Sequence, residues 1–163
     1  MKTYLNSLIF QLKETKSGKP WIGSSFDRKL SILNNEDFFR RPLPKLHSVA
    51  ELISHLTIWR KETVLKIKTG EGSITDKDPL NWQDLENLKI VGRKKLMEDF
   101  DQSLDDIIEL LQDKNDDFLN QPYYDTDFKD TYPYSFVLFG MLHHDLYHLG
   151  QIGIIVKFLN DSK

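Results

Sequence analysis

Residues 140–153 read GMLHHDLYHLGQIG and place His143, His144 and His148, three of the five histidines, on an otherwise mostly apolar stretch. Around it, residues 134–159 are apolar over most of a helical circumference, the pattern of a largely buried helix. A helix turns about 100° per residue, so positions four apart stand one above the other at about 6 Å. His144 and His148 have that relation, which lets two imidazoles of one helix reach one metal ion. His143 points about 140° away from His148 around the axis and cannot share their site.

Outward from this segment, the chain reads as three further long helices. The first covers about residues 2–16, with Leu5, Leu8, Ile9 and Leu12 on one stripe. SGKPWIGSS breaks it, a shorter segment follows over Phe26–Leu33, and FFRRPLPK extends the chain. Ser48 followed by Glu51 has the form of a capping box, opening a second long helix to about Lys68, where GEGS ends it. The third is expected to begin at Asn81 as N-cap, with Asp84 in its first turn, and to run unbroken through Leu85, Leu88, Met97, Phe100, Leu104, Ile107, Ile108 and Leu111. NDDFLNQPYYDTDFKDTYP then reads as a polar loop, and no strand alternation is evident anywhere. The expected fold is therefore all-α: a four-helix bundle with a long connection between the first and second long helices.

At 163 residues and 19.2 kDa, residues 1–163 are expected to form one domain with a full core. A net charge of −3 gives no broad attraction to phosphate backbones or anionic surfaces, so no nucleic acid partner is expected. There is no cysteine, which excludes disulfides, thiolate ligands and cysteine nucleophiles together. Neither a signal segment nor a membrane span is readable, and the expected location is cytoplasmic.

A pair spaced as His144 and His148 is often structural, so a third histidine on another helix decides the reading. His47 precedes the Ser48 cap and is expected in water at the helix mouth. His55 lies two turns into the second helix, near Leu52 and Trp59. Alone it would read as a core histidine; beside His144 and His148 it would complete a metal site. Gly140, one turn before His144, either opens space beside the imidazoles or lets a helix cross closely. Gln151 is placed to bond a ligand from behind, and Asp145 and Glu62 read as solvated or salt-bridged charges.

HHDLYHLGQIGIIVK resembles the last-helix signature of the DinB/YfiT-like metalloprotein superfamily, HSVAELISHLTIW resembles its second-helix motif, and GKPWIGSSFDRKLSIL is similar to an early segment of one branch. Ile22 stands where that branch often carries histidine, so no role attached to that histidine carries over. The resemblance implies a bundle holding one divalent metal through His55, His144 and His148, often in a homodimer. The family's characterised members are thiol-dependent S-transferases and isomerases that use bacillithiol or mycothiol.

Three histidines and an open fourth position make a catalytic-type site rather than a closed one. The expected function is that of a metal-dependent transferase or hydrolase. It would act on a small-molecule substrate through zinc or nickel, with a low-molecular-weight thiol cosubstrate or water as nucleophile. The alternative is a non-catalytic, metal-stabilised bundle that binds a small ligand or a protein partner.

Overall fold

A computed structural model describes residues 1–161. The chain is mostly helical, in the order α1 (Thr3–Ser17), α2 (Phe26–Leu30), α3 (Asn35–Phe39), α4 (Val49–Thr69), α5 (Leu85–Val91), α6 (Arg93–Gln112), a 3-10 turn (Asp116–Asn120), β1 (Pro122–Asp125), β2 (Asp130–Pro133) and α7 (Tyr134–Asp161). α4 packs against α6 and α7, and α1 against α7. Among the described residues no helix is long and apolar enough to cross a membrane.

The start of α4 follows from its capping chemistry. Ser48 Oγ accepts the Glu51 N–H, and the Glu51 carboxylate accepts the Ser48 N–H at 2.8 Å, so two orphan donors of the first turn are satisfied reciprocally. Gly70, at φ 78°, ends the helix in the left-handed region.

Three expectations fail locally. The third long helix is not continuous and does not start at Asn81. Its N-cap is Asp84, which accepts the N–H groups of Glu86 and Asn87, and Gly92 at φ 84° separates α5 from α6. The hydrophobic stripe runs across that break because both pieces bury the same side, so periodicity alone does not reveal it. The polar loop contains an antiparallel hairpin, Tyr123 opposite Tyr132, in which only Tyr123 and Asp125 of β1 are buried. Four residues per strand are too few to show a period of two clearly. Phe38 and Phe39 close α3, which Asn34 caps through the Asp37 N–H, so the chain becomes extended only from Arg40.

The core is divided. One apolar cluster gathers α2, α3, the first half of α4, the start of α6 and the second half of α7; the other gathers α1, the rest of α6, the hairpin and the first half of α7. On α7 the second cluster stops at Leu142 and the first resumes at Leu149, leaving His144, Asp145 and His148 between them. On α4 the equivalent interval, between Leu56 and Ile67, holds Arg60, Glu62, Thr63 and Lys66, all buried. A polar layer thus crosses the middle of the molecule, with His55 at its edge.

Candidate metal centre

His55, on α4, and His144 and His148, on α7, meet in this layer. Their ligand nitrogens all lie within 4.8 Å of one another. His144 Nε2 stands 2.9 Å from His55 Nε2 and 3.0 Å from His148 Nε2. Two nitrogens bound tetrahedrally to zinc are about 3.3 Å apart, given a Zn–N bond of about 2.05 Å. Small side-chain rotations would therefore seat one ion.

The outer ring nitrogens fix the tautomers. His55 Nδ1 lies 3.1 Å from the Asn81 carbonyl oxygen, and His148 Nδ1 lies 2.8 Å from Gln151 Oε1. Both oxygens can only accept, so both Nδ1 atoms carry the proton and both Nε2 atoms present lone pairs. These lone pairs converge on His144 Nε2, which has at most one proton to offer. At least one lone pair is left without a donor from this cluster, and that is the electronic condition of a cation site.

Burial reinforces it. It lowers the pKa of His144 to about 3, helped by His148, His55 and Arg60, and that of His148 to about 4 against the opposing bond to Gln151. His55 is lowered by the same cause. His144 and His148 therefore stay neutral well below pH 6.5, and protons compete for their lone pairs only in more acidic solution.

The surroundings hold the rings in place. The Asn81–Trp82 segment wraps His55: the Asn81 side-chain oxygen accepts Trp59 Nε1–H at 2.9 Å, and the Trp82 ring stacks on His55 at 4.0 Å and 5°. Trp82 also stacks on His47, at 3.8 Å and 4°, so His47 is half-exposed and ring-bound rather than free in water. Behind the imidazoles, Arg60 forks onto Asp145, Nη2 to Oδ2 at 2.7 Å and Nε to Oδ1 at 3.3 Å, with both residues 1% exposed. Burial pushes the Asp145 carboxyl up, and the Arg60 charge and hydrogen bonds oppose the shift.

Glu62 is not solvated, and among the described residues it forms no salt bridge. It is buried, and its carboxylate accepts the N–H groups of Ser73 and Ile74 and the Ser73 hydroxyl, which clamps the loop after α4. Gly140 borders a cavity of about 640 Å³ that opens from the imidazoles. A Cβ there would meet nothing within 4 Å, so the glycine lies against open space and not at a close helix crossing. His143 is exposed and does not line that cavity. Asn81 and Trp82 escaped the sequence reading, since an Asn before a helix looks like a cap and nothing in the local pattern connects it with His55.

A profile of the DinB superfamily matches residues 24–152. The chain belongs to the DinB superfamily. Among curated proteins none matches it. Of solved structures, this DinB-superfamily chain is similar to the mycothiol-dependent maleylpyruvate isomerase, with TM-score 0.67 and 16% identity. It is also similar to a histidine-to-alanine mutant of a mycothiol-dependent maleylpyruvate isomerase, with TM-score 0.61 and 13% identity. Each match covers 91% of this chain and 60% of the other, so the chain spans about three-fifths of the length of those proteins. At such identities the likeness establishes the fold.

Proposed function

We propose that this chain is a metal-dependent transferase or hydrolase. One divalent ion, zinc or nickel, would be held by Nε2 of His55, His144 and His148, in a single four-helix-bundle domain formed by α1, α4, α6 and α7. The observation that carries this reading is the convergence of Nε2 atoms whose tautomers are set from outside, at the edge of a cavity large enough for a small molecule. Such an ion, when bound, lowers the pKa of a coordinated thiol or water and supplies a nucleophile near neutral pH.

The chain's own residues do the rest. Asn81 and Gln151 hold two imidazoles as lone-pair donors. Trp82 shields one face of His55 from water. Gly140 leaves room on the α7 side for substrate to approach. These 163 residues contain no cysteine, so a thiol at this site would arrive as cosubstrate; the mycothiol dependence of the structural neighbours supports a low-molecular-weight thiol in that role. Exposed apolar residues on α7, Tyr147 and Ile154, support a homodimer built on that helix.

Elemental analysis of natively expressed protein should give about one divalent ion per chain, and a thiol-transfer screen should show activity that chelator abolishes. Protein that stays metal-free at pH 7.5 in excess zinc and nickel would overturn the reading.

A further inference from the structure

The cavity beside the imidazoles is walled by aromatic rings: Trp59 and Trp82 next to His55, Tyr123 and Tyr147, and Phe128 and Phe136 toward the hairpin. An apolar body fits these walls. The charges among them indicate what its polar end must be.

Lys66 is the only lysine or arginine among the described lining residues, and it is committed. It is buried, with Nζ 2.8 Å from Asp125 Oδ2. Asp125 also accepts the Tyr123 hydroxyl at 2.9 Å and the N–H groups of Asp127 and Phe128 at 3.1 and 3.2 Å. The unit is closed and neutral. Drawing Lys66 toward a ligand anion would strand Asp125, 2% exposed, without its counter-charge, which is costly in a buried setting.

The exposed end of the cavity is the opposite case. Asp127 Oδ1 accepts the Asp76 N–H at 2.9 Å, and neither carboxylate forms a salt bridge among the described residues. Next to Asp127, the ring of Phe128 stands 5.6 Å from that of Phe136 at 78°, and both are substantially exposed. Ring faces attract cations through their quadrupole, and a nearby carboxylate adds to that attraction. An anionic ligand end would meet the same rings and two like charges.

We propose that this cavity takes a monocationic ligand, an amine or quaternary ammonium compound with an apolar or aromatic body, its cation seated between Asp127 and the Phe128 and Phe136 rings. The body lies along Trp82 and Tyr147, and its other end reaches the imidazoles. Only that last contact rests on the metal reading above; the charge preference belongs to the metal-free chain as well.

The test is calorimetric titration of the metal-free full-length chain with three compounds of one shape: 4-phenylbutylamine, 4-phenylbutanol and 4-phenylbutyrate. The amine should bind at least tenfold tighter than the carboxylate, with the alcohol between. Asp127→Asn, which keeps an oxygen acceptor for the Asp76 N–H, should bring amine and alcohol within twofold of each other while the melting curve stays unchanged. Carboxylate binding as tight as the amine, no amine binding at millimolar concentration, or an amine preference untouched by Asp127→Asn would each overturn the proposal. A separate zinc titration separates the two readings. Zinc binding without a charge preference sinks this inference alone, and a charge preference without zinc binding sinks the metal reading alone.

Discussion

Two buried polar clusters sit side by side on α4 and α7 and differ in how completely they are satisfied. In the Arg60–Asp145 pair the guanidinium meets both carboxylate oxygens and the Phe100 carbonyl, and it lies 4.0 Å from the Phe100 ring centroid. It ties α4, α6 and α7 together, and each guanidinium nitrogen and each carboxylate oxygen of the pair has a partner. The imidazole cluster is satisfied only on its outer side, where Asn81 and Gln151 hold the Nδ1 protons, and its inner lone pairs outnumber the protons available to them. Burial and residue type alone would rank the two clusters alike. Counting donors against acceptors separates a lock from a site.

Breaking the lock should have the largest effect. Arg60→Ala leaves Asp145 buried without a partner, which costs about 3–5 kcal/mol and should show as a large fall in the urea midpoint. Replacing both partners, Arg60→Met with Asp145→Leu, should restore most of that loss. The double variant should keep its zinc affinity within tenfold, because Asn81 and Gln151 are untouched. If the double variant stays as unstable as the single one, the pair does more than neutralise itself.

Breaking the site should spare the fold and remove the ion. His144→Ala should weaken zinc binding by a hundredfold or more in a titration of the apo protein, with little change in its metal-free melting temperature. His143→Ala, exposed on another face, should bind zinc like the parent. Weakening in the His143 variant and none in the His144 variant would refute the ligand assignment. Gln151→Ala sharpens the point further: freeing His148 Nδ1 should weaken zinc about 10–100-fold, the usual range for an outer partner of a ligand.

A smaller effect belongs to the cap of α4. Burial pushes the Glu51 carboxyl up, but Arg41, the Ser48 N–H and hydroxyl, and His47 outweigh it and bring its pKa from 4.5 to about 2. A carboxyl with a depressed folded-state pKa contributes stability that is full above the unfolded value and is lost as protons bind the folded state. Stability from Glu51 should therefore be complete above about pH 4.5 and disappear toward pH 2. Glu51→Gln should lower stability at pH 7 by about 0.5–2 kcal/mol, the usual weight of a cap, and flatten the acid limb of the pH–stability curve. An acid limb identical to the parent's would remove Glu51 from that account.

What could be read along the chain was what depends on near neighbours in sequence. The Ser48–Glu51 box, the amphipathic stripe of α1 and the stacking of His144 over His148 with His143 turned away all follow from helical geometry and short-range hydrogen bonds. Contacts between distant segments set the rest. Asn81 looks like a helix cap locally, yet folding brings its carbonyl to His55, 26 positions away, and its side chain to Trp59. Glu62 looks like a surface charge, yet the returning loop buries it under two backbone N–H groups. Gly92 interrupts a stripe whose periodicity continues through it, and the hairpin strands are held partly by Gly70 and Gly72 rather than by their own pattern. The cavity and its uneven charge exist only after α4, α7 and the hairpin have come together. A side chain's type and helical register are local properties, whereas its burial and hydrogen-bond partners depend on which distant segments pack against it.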